Sequence, residues 1–486
     1  MRYITYFSLL LFLSILTACN DDKDTDPAKR PEISKNIAWI ENTMRKNYYW
    51  YEEIPATDKL DYIKAEEDFF TSMLSYNDGK DYVVNGNKQH YYFSTIKKLT
   101  DQTKPSTYSG EAEYSYGFEF TSIYTNAART TLQVLVQYIF NDSPAKESGL
   151  RRGDWITEID GKPITIEDVS SISNGGGEMS LTIQRWNSNR RGYVTEPEKI
   201  NMPAARQVID NPVHMAKVIT TSGKEKKVGY LVYNHFTRGV SNDNFSYDDE
   251  LRGLSGITFD GIDEFVLDLR YNPGGNIASA ILLCAILAPA SALEKPFCYI
   301  QYNDKTSPKE TVYKAGKEQL KSNGKNLNLS TIYVLVSSNS ASASELVINS
   351  LRPYMDVVII GEKTLGKNVA SSIYTSDDNI WEMSPIIARI YNSERNSDYA
   401  DGFFPDYVLN EAFTPTSYDP NIVTLDEVRE LGDENERLLR VALNLIDNTD
   451  IVVRSAIKEN APVYTIAPFN SLLRKGSNGA IIDINR

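Results

Sequence analysis

The sequence predicts an α/β fold for half of this chain, residues 207–449, with two other domains before it, and three observations support that organisation. In residues 207–449, short apolar runs typical of buried strands alternate with stretches of helical periodicity. Residues 106–206 carry strand-like runs separated by turn residues, whereas residues 32–105 carry apolar residues at helical spacing. We therefore expect a core of parallel strands and helices, preceded by a β-rich domain and an N-terminal helical domain.

Length and composition restrict the class of protein. At roughly 150 residues per domain, 486 residues predict two to four domains. The net charge of −14 argues against nucleic acid as a partner, because such proteins bind phosphates through basic surfaces. Three scattered histidines and three cysteines argue against a metal site, and we expect no metal and no cofactor. A disulfide between Cys284 and Cys298 is possible outside the cytoplasm.

The N-terminus has the pattern of a secretory signal. Residues 3–18 are almost wholly apolar, too short for a comfortable membrane span but suited to a signal peptide over residues 1–18. The run ends in Leu16-Thr17-Ala18-Cys19, which resembles the bacterial lipobox. That resemblance implies that Cys19 carries a lipid. The stretch that follows is polar and acidic and cannot bury a core, so residues 19–31 are predicted to form a flexible tether. It also implies a place in the bacterial cell envelope, lipid-anchored to the outer membrane and facing the periplasm or the surface. An ordinary signal peptide and an uncleaved anchor are the alternatives.

Residues 32–105 are predicted to form the helical domain. Ile37, Ile40, Met44 and Tyr48 recur at helical spacing after a potential N-cap at Ser34. We expect this small domain to have no chemistry of its own.

The β-rich domain, residues 106–206, contains strand-like runs at 131–140, 155–159 and 180–186. Its segment at 143–164 resembles a PDZ domain of the bacterial-protease type. Upstream, a loop matches the one that holds a peptide's terminal carboxylate in that family; it consists of Tyr116, Gly117, Phe118, Glu119 and Phe120. The resemblance implies that peptides add as a strand to the sheet edge. A PDZ domain that binds nothing is the alternative.

Three loops of the α/β region carry the residues with chemical potential. The strand-like runs at 265–269, 331–336 and 357–360 are followed by a glycine turn, a serine cluster before a helix, and a lysine-containing loop. Loops after parallel strands gather at one edge of the sheet. A serine needs a base, and a buried neutral lysine can supply one where histidine is absent. The residues alone do not decide between Ser340, Ser342 and Ser344, or between Lys363 and Lys367; each loop by itself could be a cap, a turn or a solvated lysine.

Taken in order, these loops resemble those of the C-terminal processing peptidases, also called tail-specific proteases, which are serine peptidases of the Ser-Lys type. The motifs lie at 267–275, 340–345 and 361–367. The resemblance implies that Ser342 is the nucleophile and Lys367 the general base. It also implies a crotonase-like core and oxyanion donors from the backbone N–H groups of Gly274, Gly275 and Ala343. The helper positions of the family hold Pro353 and Ser371 here, and Ser371 could still hydrogen-bond the lysine.

The implied function is a lipid-anchored extracytoplasmic serine endopeptidase that acts on protein or peptide substrates, whose tails the PDZ domain presents. Residues 207–449 would be the catalytic core, and residues 450–486 a C-terminal extension without a chemical signal. The alternatives are a catalytically inactive peptide- or ligand-binding lipoprotein and an envelope scaffold that works through the PDZ domain. The sequence does not indicate an oligomeric state.

Overall fold

The structure is a computed structural model that describes residues 33–84, 87–99, 113–240, 244–416, 422–449, 463–474 and 480–482. The predicted signal peptide and tether, including the lipidation site Cys19, lie outside the described residues. Within the described ranges, no helix combines the length and the apolarity that crossing a membrane requires.

The N-terminal part starts as predicted but is only partly helical. Its elements are α1 (Lys35–Asn47), α2 (Glu66–Thr71), β1 (Gly79–Val84), β2 (Asn87–Tyr92) and β3 (Thr95–Lys98), with short 3₁₀ helices at Tyr51–Glu53 and Thr57–Lys59. The Ser34 hydroxyl accepts a hydrogen bond from the Ile37 N–H at 3.1 Å, which confirms the predicted N-cap. Strands β1 and β2 contain tyrosine and valine, and β3 contains threonine and isoleucine, all of them residue types that fit a pleated surface.

The second part is built on antiparallel strands. Its elements are β4 (Glu113–Ser115), β5 (Phe118–Tyr124), β6 (Thr131–Ile139), α3 (Pro144–Ser148), β7 (Trp155–Ile159), β8 (Lys162–Thr165), α4 (Ile166–Asn174), β9 (Met179–Asn187), β10 (Gly192–Thr195), β11 (Ile200–Met202) and β12 (Arg206–Val208). One sheet runs in the order β10-β9-β7-β8-β6-β5 and continues into strands from the end of the chain.

The third part alternates strands and helices. Its first half comprises β13 (Val213–Thr220), β14 (Lys227–Tyr233), α5 (Ser246–Gly256), β15 (Glu264–Asp268), α6 (Ile277–Leu287), a 3₁₀ helix (Ala290–Ala292), β16 (Pro296–Tyr302), β17 (Glu310–Lys314), α7 (Lys317–Leu320), β18 (Thr331–Val336) and α8 (Ala343–Leu351). Its second half comprises β19 (Asp356–Gly361), β20 (Val369–Ser371), β21 (Tyr374–Thr375), β22 (Trp381–Ser384), β23 (Ile386–Asn392), β24 (Tyr407–Val408), β25 (Phe413–Pro415), β26 (Ile422–Leu425) and α9 (Arg437–Asp447). The chain then adds β27 (Tyr464–Asn470), a 3₁₀ helix (Ser471–Arg474) and β28 (Ala480–Ile481).

The central sheet of this part has the predicted parallel pairing. Its order is β13-β14-β15-β18-β19-β24, and every neighbouring pair from β14 onward is parallel. Helix α6 is buried along nearly its whole length beside this sheet, because its sequence is apolar on every side. Cys284 on α6 and Cys298 on β16 are buried free thiols, so the disulfide considered from the sequence is not formed.

Two smaller sheets position the loop after β19. One has the order β17-β16-β23-β20-β28, and the other has the order β21-β22-β3. The pairing of β3 with β22 joins the N-terminal part to the α/β core, with Trp381 opposite Lys98 and Met383 opposite Ile96. The N-terminal part therefore packs beside β20, the strand that begins two residues after Lys367.

Candidate active site

Ser342 occupies the junction between β18 and α8, where it is the N-cap of the helix. Its φ is +59° and its ψ is −108°, a conformation that serine seldom adopts and that surrounding contacts must enforce. The side chain is fully buried. Its hydroxyl has no hydrogen-bond partner in the part of the chain that the structure describes. A buried hydroxyl without a partner is costly, so it is often found where function requires it.

The neighbouring serines have structural contacts instead. The Ser340 hydroxyl donates to the Leu269 carbonyl oxygen at 2.8 Å and accepts from the Ser337 N–H at 3.0 Å. The Ser344 hydroxyl donates to the Asn272 carbonyl oxygen at 2.9 Å. Both hydroxyls hold the serine loop against the loop after β15, which leaves Ser342 as the one with an uncommitted hydroxyl among the three.

Lys367 is the buried lysine of the next loop. Its side chain is fully buried, and no described residue forms a hydrogen bond with its Nζ. Burial lowers the pKa of Lys367 from 10.5 to about 8, although the carboxylates of Asp78 and Glu345 oppose that shift. Lys363, by contrast, is exposed, with its Nζ 5.2 Å from the centroid of the Phe404 ring. The buried environment of Lys367 is of the kind that makes a lysine neutral near physiological pH.

Glu345 joins the serine loop to the lysine loop. Its Oε2 accepts hydrogen bonds from the backbone N–H of Ser342 and of Lys367, each at 2.8 Å. Because both nitrogens bond the same oxygen, the distance between them is at most the sum of these two bonds. Its Oε1 accepts from the Gly366 N–H and the Thr364 hydroxyl, both at 2.6 Å. The sequence analysis placed Glu345 only at the end of a motif and assigned it no role. Its position three residues after the helix N-cap is the sequence signal that would have predicted a bond to the Ser342 N–H.

The glycine turn after β15 packs directly against Ser342. Gly274 has a φ of +112°, and a Cβ at this position would lie 2.9 Å from the Cβ of Ser342. Gly275 has a φ of +134°, and a Cβ there would lie 2.2 Å from the Phe236 carbonyl oxygen. Both positions therefore require glycine.

The structure narrows the predicted oxyanion donors. The Gly274 N–H already donates to Asn272 Oδ1 at 2.9 Å, so in this arrangement it is not available to an oxyanion. Ala343 is the first residue of α8, where backbone N–H groups have no acceptor within the helix. The roles of Gly275 and Ala343 as donors remain predictions.

The N-terminal part, expected to have no chemistry of its own, forms one wall around Lys367. The Lys367 Nζ lies 4.9 Å from the centroid of the Phe93 ring. Nearby, the fully buried Asp78 carboxylate accepts from the Tyr48 hydroxyl at 2.8 Å and from the Ser94 N–H at 3.1 Å. Burial raises the pKa of Asp78, while its hydrogen bonds and Lys367 act in the opposite direction. Sequence reasoning missed these residues because no spacing along the chain relates 78 or 93 to 367.

Ser371, the predicted helper, lies on β20 and is fully buried. Its carbonyl oxygen accepts from the Ile482 N–H at 2.9 Å. A hydrogen bond between its hydroxyl and Lys367 remains a prediction. The other helper position, Pro353, follows the C-terminal end of α8 and has no side-chain hydrogen-bonding group.

Buried charges connect the PDZ-like domain to the glycine turn. Arg152 pairs with Glu411 at 2.7 Å and contacts the Tyr271 hydroxyl, and Arg270 pairs with Glu436 at 2.7 Å. Burial alone would raise the pKa of Glu411, but the two arginines outweigh it and lower the pKa to about 2. Breaking such a network by removing one partner leaves an uncompensated buried charge.

The predicted peptide-binding loop lies at the start of β5. Tyr116, Phe118 and Phe120 are buried in one apolar cluster with Val169 and Ile172 of α4. Helix α4 therefore contributes to the same apolar cluster as the start of β5. The edge of β5 that a peptide would join is paired with β27 of the same chain.

A buried serine at a helix N-terminus, tied through one carboxylate to a buried lysine of lowered pKa, is an arrangement that a serine hydrolase with a lysine base would need. Comparison with known families identifies the domains of the chain. Residues 227–409 match the model of peptidase family S41, residues 37–95 match the peptidase S41 N-terminal domain, and residues 141–185 match a PDZ domain.

Individual relatives lead to the same family. A crystal structure from Bacteroides fragilis NCTC 9343, assigned to the S41 proteases, is 36% identical and superposes with a TM-score of 0.71, covering 85% of this chain and 98% of that one. The chain belongs to peptidase family S41. A "Probable CtpA-like serine protease" of Staphylococcus aureus strain COL is 25% identical over 71% of this chain. The chain spans 64% of the length of that relative.

Proposed function

We propose that this protein is a serine endopeptidase in which Lys367 deprotonates Ser342. The observation that carries this proposal is the pair of fully buried, unpartnered polar atoms, Ser342 Oγ and Lys367 Nζ, noted within the described ranges. Their backbones are tied to the same oxygen of Glu345. Keeping two such groups in a protein interior has a cost in stability that a substrate-binding site explains.

The proposed reaction has two halves. Ser342 Oγ attacks the carbonyl carbon of the scissile peptide bond, and its proton moves to the neutral Nζ of Lys367. The carbonyl oxygen becomes an oxyanion, which accepts hydrogen bonds from the backbone N–H groups of Gly275 and of Ala343 at the positive end of α8. Lys367 then gives the proton to the leaving amine, and the peptide bond breaks. In the second half a water molecule, deprotonated by Lys367, hydrolyses the ester on Ser342 and regenerates both groups.

A phosphonate probe that reacts with activated serines tests this function. The intact protein should gain the mass of one probe, and peptide mapping should locate it on Ser342. The Ser342→Ala and Lys367→Ala variants should lose labelling to a similar degree, because the two residues act as a unit. Ser340→Ala is the matched control: it should keep labelling and lose only about 1 kcal/mol of stability through its hydrogen bonds. A wild-type protein that folds but takes no label would instead be a non-catalytic binding protein of the same family.

We propose further that Cys19 carries a lipid and anchors the protein to the bacterial outer membrane. The support is the apolar segment ending in Leu16-Thr17-Ala18-Cys19, followed by an acidic stretch. Wild-type protein should fractionate with membranes, whereas a Cys19→Ser variant should become soluble, because two or three acyl chains anchor a protein stably. Soluble wild-type protein would contradict the lipid anchor without bearing on the peptidase.

Protein or peptide substrates are proposed, with their tails presented by the PDZ domain. The support is the PDZ match together with the buried aromatic residues at the start of β5. If a substrate tail binds by its terminal carboxylate, a free-acid peptide should bind more tightly than its amidated form. Equal binding of the two peptides would rule out carboxylate recognition.

A further inference from the structure

The edge strand of the PDZ domain, β5, is paired with β27, a strand from the C-terminal part of the same chain. Strand β27 pairs antiparallel with β5, with Thr465 opposite Tyr124 and Ile466 opposite Ile123. Because the pairing is antiparallel, the C-terminal end of β27 points toward the loop that contains Tyr116 and Gly117. This is the direction in which an added peptide strand would run if its C-terminus reached that loop.

Two further contacts resemble those of a bound peptide. The Ser471 hydroxyl accepts from the Phe120 N–H at 2.7 Å and donates to the Phe120 carbonyl oxygen at 3.2 Å. It thereby satisfies two buried edge groups that a sheet neighbour would otherwise pair. Ala467 of β27 is 4% exposed and belongs to the same apolar cluster as Val169 and Ile172 of α4. The segment therefore has both backbone and side-chain contacts with the groove.

The pairing is nevertheless incomplete. Three residues separate Ile466 from Asn470 on β27, whereas one residue separates their partners Ile123 and Thr121 on β5. Pro468 lies in this bulge and has no N–H to donate. An irregular strand of this kind makes fewer ladder hydrogen bonds than a regular one, so another strand could replace it at low cost.

We propose that the edge of β5 is a binding site for extended peptides and that residues 464–471 are its resting occupant, which a substrate peptide must displace. This inference rests on the proposed peptidase function, because the occupant would regulate the access of substrates to that peptidase. A tethered segment competes at an effective concentration on the order of millimolar, so peptides of modest affinity are excluded until the segment is released.

The same end of the chain also reaches the strand beside Lys367. Strand β28 pairs in parallel with β20, and the Ser372 hydroxyl donates to the Ile482 carbonyl oxygen at 2.7 Å. Deleting the C-terminus would therefore remove contacts of β20 as well as β27. Point substitutions in β27 are the cleaner experiment.

The test measures binding of a labelled peptide with the sequence of residues 463–474, VYTIAPFNSLLR, to the full chain. All proteins carry Ser342→Ala so that the peptide is not cleaved. Ala467→Asp places a charge in the apolar cluster and should release β27. Val463→Asp adds the same charge at a position that is 58% exposed and serves as the control. We expect the Ala467→Asp protein to bind the peptide at least about tenfold more tightly than the control.

Equal affinity of the two proteins, or no binding to either, would overturn the inference. If Ala467→Asp fails to fold by circular dichroism, Ser471→Ala decides, because it removes only the two hydrogen bonds to Phe120. This variant should bind the peptide several-fold more tightly than the Val463→Asp control, and an unchanged affinity would be equally negative. Probe labelling of Ser342 in the parent protein is measured separately. Normal labelling together with unchanged peptide affinity would refute the role of β27 alone, whereas absent labelling would refute the peptidase function.

Discussion

The Nζ of Lys367 lies 4.9 Å from the centroid of the Phe93 ring, with no hydrogen-bond acceptor for it among the described residues. The ring face attracts a cation weakly, but it cannot replace the water that the nitrogen loses on burial. Desolvation is therefore the main cause of the lowered pKa of Lys367. A residue from the N-terminal part of the chain thus helps to set the basicity of a residue on the α/β core.

The pH dependence of Ser342 labelling should follow the pKa of Lys367. Burial lowers that pKa to about 8, and only the neutral amine can accept the serine proton. The labelling rate should rise about tenfold per pH unit below that value and level off above it. The measurement is the rate of phosphonate labelling from pH 6 to pH 10. A rate that is flat across this range would show that Lys367 is not the base.

Asp78→Asn should move that transition to lower pH. The Asp78 carboxylate favours the protonated form of Lys367, so its removal should make the lysine neutral at lower pH. Asp58→Asn, at an exposed position of the same region, is the matched control and should leave the transition unchanged. A lower labelling rate with an unshifted midpoint would mean that Asp78 only supports the structure around it.

Lys367→Met should stabilise the protein at neutral pH. Lowering the pKa from 10.5 to about 8 costs about 3 kcal/mol of folding free energy at pH values below 8, at about 1.36 kcal/mol per unit. The cost disappears as the pH approaches 10.5, because the lysine is then neutral in both the folded and the unfolded states. The gain measured by urea unfolding should therefore be about 3 kcal/mol at pH 7 and should shrink toward zero near pH 10.5. An equal gain at both pH values would place its origin in packing.

Gly274→Ala should disable the site. The new Cβ would meet the Ser342 Cβ at 2.9 Å and the Ala343 nitrogen at 3.0 Å, and a φ of +112° disfavours alanine. We expect a loss of about 1–3 kcal/mol in stability and a labelling rate reduced by more than about tenfold. Gly177→Ala is the control, because a Cβ there meets nothing within 4 Å. Similar labelling of both variants would contradict the tight packing of Gly274 on Ser342.

Helix α9 is shorter than the amphipathic pattern in its sequence. The sequence has an amphipathic pattern over residues 427–446, interrupted by Gly432. The structure forms the helix only over Arg437–Asp447, while Gly432 adopts a φ of +79° in the turn before it. Leu438, Leu439, Ala442 and Ile446, which belong to that apolar pattern, are buried in the structure. A local pattern identifies which residues will be buried, but the glycine conformation and tertiary contacts decide where the helix begins.

The sequence by itself determined the strands of the α/β core, because a short continuous apolar run such as 331–336 is typical of a strand that is buried on both faces of a parallel sheet. It also placed the glycine turn, the serine cluster and the lysine directly after such strands. It could not choose Ser342 over Ser340 and Ser344 from residue type, since all three are serines in one loop. Only the tertiary structure distinguishes them, by supplying carbonyl partners to two and none to the third. The contact of Phe93 with Lys367 and the pairing of β27 with β5 were likewise decided by the tertiary structure. They join residues hundreds of positions apart, and no local pattern along the chain records which distant surfaces will be buried against each other.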